Sequence, residues 1–142
     1  MSAELSGVRR AFCDTSFFYS CLDPRERSHA RARELALQTA ESGVILSSTW
    51  DVIGETITLL RYRMSYQAAL EFLNTLKPTL DIVLYDDSVR LMAQEIFRRR
   101  AAQRALSFCD AISFIVVTTI LDNAPCLSFD EDFRALGLTV IR

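Results

Sequence analysis

The chain has 142 residues, half of them hydrophobic and 24% charged, with four glycines and three prolines. That is the length of one domain with enough apolar material for a core, and it excludes the disordered, collagenous and low-complexity classes. A formal net charge of −2 argues against bulk electrostatic capture of nucleic acid, although Lys77 is the one lysine among 16 basic residues and the rest are arginines, the side chain best shaped to clamp phosphate.

Taken in chain order, Val8 to Cys13 reads as a buried strand that stops at Asp14-Thr15-Ser16, and Phe17 to Leu22 as a short apolar helix. Asp23-Pro24 predicts an N-cap ahead of a first-turn proline, opening a helix that runs to about Ser42 and stops at Gly43. Val44 to Ser47 is a second buried strand. Ser48-Thr49-Trp50-Asp51 has the pattern of a capping box and opens a helix to about Arg63. Ser65 caps the next helix, to Lys77-Pro78, and Leu80 to Tyr85 reads as a third strand. Asp86-Asp87-Ser88 opens a helix through about Gln103. Ser107-x-x-Asp110 opens a strongly apolar helix, Pro125 to Phe129 reads as a fourth strand, and Leu138 to Ile141 as a fifth. Short apolar runs alternating with long helices predict an α/β domain with a parallel sheet and helices on both faces. No linker divides the chain.

Ala105 to Leu121 contains one charge, Asp110, in 17 residues. It is short for a membrane span, and a central carboxylate costs about 2.5–3.5 kcal/mol in such a span. A helix buried within a domain fits better. Cys13, Cys21, Cys109 and Cys126 include no C-x-x-C pair. Without a secretory leader pattern at the first residues, they are expected to be reduced thiols of a cytoplasmic protein. His29 is the single histidine, which leaves no basis for a His-rich metal site or a Ser-His-Asp triad.

In parallel sheets functional groups collect at the carboxyl ends of strands, and four acids draw attention there. Asp14 follows the first strand, where it could equally cap the next helix. Glu55 lies in Val52-Ile53-Gly54-Glu55-Thr56-Ile57-Thr58-Leu59-Leu60, apolar over most of its circumference, which predicts a carboxylate turned into packing with no basic partner nearby. Asp110 is either a metal ligand or simply the acid of a capping box. Asp130 opens the acidic cluster Asp130-Glu131-Asp132, a pattern that alone usually marks a solvated turn. Carboxylates gathered in one place call for a cation between them. With no His or Cys set available, a hard oxygen-seeking ion such as Mg²⁺ or Mn²⁺ is the natural occupant.

Phe12-Cys13-Asp14-Thr15-Ser16, Glu55 in its apolar helix, Leu106-Ser107-Phe108-Cys109-Asp110-Ala111-Ile112-Ser113-Phe114 and Leu127-Ser128-Phe129-Asp130-Glu131-Asp132-Phe133 together resemble the PIN-domain ribonucleases. The likeness is greatest to the single-domain VapC-type toxins of toxin–antitoxin systems, and it runs from about Arg9 to Ile141. The resemblance implies a three-layer α/β/α fold with a mainly parallel sheet of about five strands, one PIN-like domain over 1–142, and residues 1–8 ahead of the fold and disordered. It implies a Mg²⁺ or Mn²⁺ site formed by Asp14, Asp110, Glu55 and Asp130, with Asp132 competing for the fourth position. Thr15, Ser16 and Ser107 match the small hydroxyls that support such a site, while Cys109 stands where members often carry Thr. The implied activity is metal-dependent hydrolysis of RNA, by a cytoplasmic toxin with a cognate antitoxin, as a homodimer and without membrane association.

Two other enzyme chemistries fit less well. Haloacid-dehalogenase-like phosphatases need a second Asp two residues after the first, where this chain has Ser16, and a receiver domain needs a late Lys that Lys77 does not supply. A PIN-family processing nuclease without an antitoxin, or a PIN-like scaffold that binds RNA or protein without cutting, remain the alternatives within the resemblance. Arg98-Arg99-Arg100 and Arg104 form the densest basic stretch, readable as an RNA contact or as cations complementing a helix dipole.

Overall fold

The protein is described from a computed structural model covering residues 3–142. Five strands, β1 (Arg10–Cys13), β2 (Ile45–Ser48), β3 (Asp81–Ile82), β4 (Cys126–Leu127) and β5 (Val140–Ile141), form one sheet in the order β3-β2-β1-β4-β5. All four pairings are parallel; Phe12 faces Ser47 on one side and Cys126 on the other. Seven helices connect them: α1 (Thr15–Leu22), α2 (His29–Glu41), α3 (Trp50–Arg63), α4 (Tyr66–Glu71), α5 (Asp87–Arg100), α6 (Phe108–Ile115) and α7 (Glu131–Ala135).

Both faces of the sheet are covered. Successive residues of a strand point to opposite faces, and Ala11, Phe12 and Cys13 are all fully buried, as are Cys126 and Leu127. Phe12 stacks on Phe133 of α7. On α1, Phe18 packs between Phe17 and Phe72, which follows α4. This is the expected three-layer α/β/α arrangement.

Several boundaries differ from the sequence reading, each for a local reason. Asp23 does not cap α2, which starts six residues later at His29. Instead it ends α1, with its buried carboxylate accepting the Tyr19 hydroxyl at 2.6 Å and both the backbone N–H and the guanidinium of Arg25. A carboxylate with four donors has no reason to turn toward a helix beginning elsewhere. The third strand pairs only over Asp81 and Ile82, because the chain is at the sheet edge and leaves it after Val83. After α4 the chain continues as a π turn over Phe72–Leu76 and a 3-10 turn over Lys77–Thr79, where Pro78 cannot donate to a helical ladder. The apolar helix likewise relaxes into a π turn at Val116–Ile120. There Thr118 and Thr119 donate back to Phe114 and Ile115 carbonyls at 2.8 and 2.6 Å, and β-branched side chains crowd the turn. The acidic cluster Asp130-Glu131-Asp132, whose pattern usually marks a solvated turn, is instead the N-cap and first turn of the short helix α7.

Of the leader expected to be disordered, residues 1 and 2 lie outside the described residues. Ala3–Leu5 forms a 3-10 turn, and Leu5 is buried in the core. No helix among the described residues is long and apolar enough to cross a membrane.

Candidate active site

From β1 the chain steps outward to β2 and β3, then returns to place β4 on the other side of β1. The connections therefore diverge between β1 and β4, and a crevice opens at their carboxyl ends. Asp14 follows β1 at this point and Ser128 follows β4.

Two serines stitch the switch together. Ser128 and Ser16 each donate to Asp14 Oδ2, at 2.9 and 3.0 Å, and the two hydroxyls lie 3.2 Å apart. Each also accepts a backbone N–H, Ser16 from Phe129 at 2.9 Å and Ser128 from Asp130 at 3.1 Å. The Asp14 N–H donates to the Leu127 carbonyl at 3.1 Å. Asp14 is thus held from both strands and is 4% exposed. It begins α1 at the capping position without making a side-chain cap bond, so the capping alternative is not what occupies its carboxylate.

Asp110 carries out the capping role that the sequence pattern suggests and still faces the crevice. Ser107 Oγ accepts the Asp110 N–H at 3.0 Å, while Asp110 Oδ2 accepts the Ser107 N–H at 3.1 Å. The box uses one carboxylate oxygen and leaves the other to the cleft. The two readings of this residue are compatible.

Glu55 corrects the sequence reading. Its carboxylate is exposed toward the cleft, and Thr56, one residue on, is the buried neighbour, donating to the Val52 carbonyl at 2.7 Å. Trp50, Gly54, Thr58, Arg61 and Tyr62 of α3 are also exposed, and the row Glu55, Leu59 and Arg63, at four-residue spacing, forms a cleft wall. Asp130 is the N-cap of α7, accepting the Asp132 N–H at 2.9 Å. Asp132 itself points to Arg104, 3.7 Å away.

Asp14, Glu55, Asp110 and Asp130 all line one open cleft of about 380 Å³, with Thr15, Ser16, Ser107, Phe129 and Arg63 among its other walls. The electrostatics follow from this gathering. Burial raises the pKa of Asp14 above the ordinary carboxylate value, against the hydrogen bonds from Ser128 and Ser16, and the charge of Asp130 adds to the rise. Asp110 is pushed up to about 6, by burial first and then by Asp14 and Asp130, against the hydrogen bonds from Ser107. Burial and then Glu55, Asp14 and Asp110 push the neighbouring Cys109 thiol far above its usual range. The change from Thr to Cys at this position therefore adds no thiolate to the site.

Among the described residues, no group of three or more His, Cys, Asp and Glu side chains stands close enough together to hold an ion. The donor chemistry nevertheless fits a hard dication, because Asp14 and Asp110 are buried carboxylates whose ionised forms lack a cationic neighbour. In addition, the buried Thr15 hydroxyl has no hydrogen-bond partner at the cleft wall. Mg²⁺ commonly takes only one or two carboxylates and keeps its waters.

The sequence reading missed Ser128. Its signal was positional: a small hydroxyl at the carboxyl end of the strand that must lie beside Asp14.

A parallel sheet of this order with four carboxylates lining the crevice at its switch point defines an α/β domain with an acidic cleft. Comparison with known proteins then gives the family: the PIN domain matches residues 11–138, and the chain belongs to the PIN-domain family. A VapC ribonuclease of Archaeoglobus fulgidus is 28% identical over 126 residues, covering 87% of this chain and 78% of the relative. The 23S rRNA-specific endonuclease VapC20 of Mycobacterium tuberculosis is 31% identical over 135 residues, covering 92% and 97%. The crystal structure of that VapC20, described as a sarcin–ricin loop cleaving toxin, superposes with a TM-score of 0.79 at 27% identity over 93% of this chain and 98% of that one.

Proposed function

We propose that this chain is a Mg²⁺- or Mn²⁺-dependent endoribonuclease, the toxin of a type II toxin–antitoxin pair. The observation that carries the reading is the pair Asp14 and Asp110, buried at the switch point with raised pKa values and hydroxyl or backbone donors in place of any basic partner. Asp14 and Asp110 would hold the metal, and Glu55 and Asp130 complete the acidic wall. When bound, the dication lowers the pKa of a bound water and stabilises charge at the phosphorus during in-line displacement.

The chain's own residues supply position. Ser16 and Ser128 fix one oxygen of Asp14, Ser107 fixes one oxygen of Asp110, and Asp132 fixes Asp130 through its backbone while pairing with Arg104. Asp130 is therefore the better fourth acid, and Asp132 supports it. Thr15 offers a free hydroxyl at the same wall. Glu55, solvated and across the cleft, is placed to orient the attacking water and accept its proton. As the water oxygen bonds to phosphorus the bond to one ribose oxygen breaks, and that oxygen takes its proton from solvent.

The full reading extends to a cytoplasmic site of action, a cognate antitoxin and a homodimer. Leu84, Leu91, Met92 and Phe97, exposed on α5 and the loop before it, supply apolar surface for self-association. The named substrate of the Mycobacterium tuberculosis relative makes 23S rRNA the first RNA to assay, beside tRNA and mRNA. The test is cleavage of these RNAs by purified protein with Mg²⁺, with EDTA, and as Asp14→Asn. Metal-dependent cleavage lost in the variant is expected, and robust cleavage in EDTA would overturn the mechanism. RNA binding with no cleavage under any metal would make the protein a PIN scaffold instead.

A further inference from the structure

Arg63 is the one basic side chain among the residues lining the acidic cleft. It lies on the same row of α3 as Glu55 and Leu59, eight residues beyond Glu55, which is about 12 Å along the helix axis. The cleft thus carries four acids at the switch point and one cation two helical turns away along α3, with Glu26 a further acid in its lining.

Arg63 is also held in place. Its guanidinium lies over the Tyr19 ring, 5.9 Å from the centroid. Its backbone carbonyl accepts from Arg25 at 3.0 Å, and Arg25 is in turn forked onto the buried Asp23, which binds the Tyr19 hydroxyl. Among the described residues Arg63 forms no ion pair with a carboxylate. Helix-dipole complementarity explains a cation in the last turn of α3, and Arg61 shares that turn. It does not explain why this cation is turned into the cleft, fixed on an aromatic face and left without an anion.

Building on the nuclease reading, we propose that Arg63 is a substrate-positioning residue: it binds a phosphate of the RNA strand neighbouring the one seated at the acids. A net-negative protein whose reactive centre repels RNA needs an attractive contact close by, and a planar guanidinium suits phosphate oxygens. A second contact along the strand also fixes the direction in which the strand crosses the cleft.

The contact should be independent of sequence and sensitive to salt. The experiment measures binding of a short fluorescein-labelled oligouridylate by anisotropy, in Mg²⁺ buffer over a salt series, with the strand checked for integrity on a gel. The proteins are wild type, Arg63→Gln, Arg63→Lys and, as a control just before β1 at the end of the strand away from Asp14, Arg9→Gln. Loss of one phosphate contact should reduce the slope of log affinity against log salt by about 0.7 and weaken binding roughly tenfold at low salt. Arg63→Lys should keep the slope, and Arg9→Gln should match wild type. Arg63 is exposed, so all variants should melt within a few degrees of wild type. With any RNA that wild type cuts, Arg63→Gln should raise KM and leave kcat nearly unchanged. An unchanged slope in Arg63→Gln beside normal wild-type binding would overturn the Arg63 assignment and leave the nuclease reading standing. No wild-type binding at any salt would overturn the Arg63 assignment as a sequence-independent contact, while cleavage of the 23S, tRNA and mRNA substrates decides the nuclease reading separately.

Discussion

Replacing Asp110 by Asn separates its two roles, because Asn retains an oxygen to accept the Ser107 N–H and loses only the charge. In the metal-free protein that charge is a liability. The pKa of Asp110 rises from 3.8 to about 6, so ionisation is harder in the folded state than in the unfolded one. At about 1.4 kcal/mol per pH unit, the ionised carboxylate costs on the order of 1–3 kcal/mol. The sign follows directly. The folded state binds the proton more tightly, so this group penalises stability progressively as pH rises from about 4 to about 6, and fully above that range. Asp110→Asn should therefore raise the melting temperature in EDTA at pH 8 by roughly 3–9 °C for a domain of this size, and by little at pH 4. In Mg²⁺ the order should reverse in function: the variant gains less stability from the ion than wild type and loses cleavage by orders of magnitude. The assay is a set of melts in EDTA and in Mg²⁺ at both pH values, beside single-turnover cleavage. A variant destabilised by about 0.5–2 kcal/mol in EDTA at pH 8, yet cleaving at the wild-type rate, would show that the capping box is all that Asp110 does.

Asp14→Asn should behave like Asp110→Asn, and the double variant should lose little cleavage beyond either single one, since groups acting as a unit are non-additive; additive losses in single-turnover rates would place the two acids on different tasks. Ser128→Ala removes a hydrogen bond to the buried Asp14, which should cost about 1–3 kcal/mol by chemical denaturation and lower kcat, and the stability loss should shrink in an Asp14→Ala background, where that acceptor is gone. Thr15→Val swaps an unpartnered buried hydroxyl for a methyl of similar shape, so metal-free stability should hold or rise by about 1 kcal/mol while activity falls; equal loss of both would give Thr15 a purely structural role. Expression of the chain alone should arrest growth and co-expression of the adjacent gene should restore it, whereas unimpaired growth with soluble, metal-competent protein would favour a processing nuclease.

Much of this organisation was legible in the sequence because each signal was local. The β1 run ending at Asp14, the capping pattern at Ser107 and Asp110, and the alternation of short apolar runs with helices all report on a few consecutive residues, and all four parallel pairings follow the expected layering. What escaped depended on distance. Ser128 and Ser16 lie 112 positions apart, and only the strand order β1-β4 brings their hydroxyls together. Glu55 was assigned to packing because α3 is apolar nearly all round, and a helical wheel does not reveal that one strip faces a crevice rather than a neighbour. Asp23 followed by Pro24 has the pattern of a helix start. The buried hydroxyl of Tyr19 and the fork of Arg25 claim that carboxylate instead, and neither demand is visible before the chain folds.

The hydrogen bonds at the cleft suggest why the acids are arranged as they are. For each of Asp14, Asp110 and Asp130, a carboxylate oxygen is engaged by neutral donors within the same turn or across the β1-β4 seam: hydroxyls for Asp14, backbone N–H groups for the other two. Neutral donors fix orientation without cancelling charge, so burial, with the neighbouring acids, keeps Asp14 and Asp110 hard to ionise despite their hydrogen bonds. An arginine in any of those places would have neutralised the charge and left less negative potential in the crevice for a cation. The fold tolerates the unneutralised charge because the seam that carries it is also among its most buried parts, with Phe12, Cys13, Cys126 and Leu127 fully enclosed. On the nuclease reading, that enclosed seam keeps the carboxylates in place for the cation they would hold.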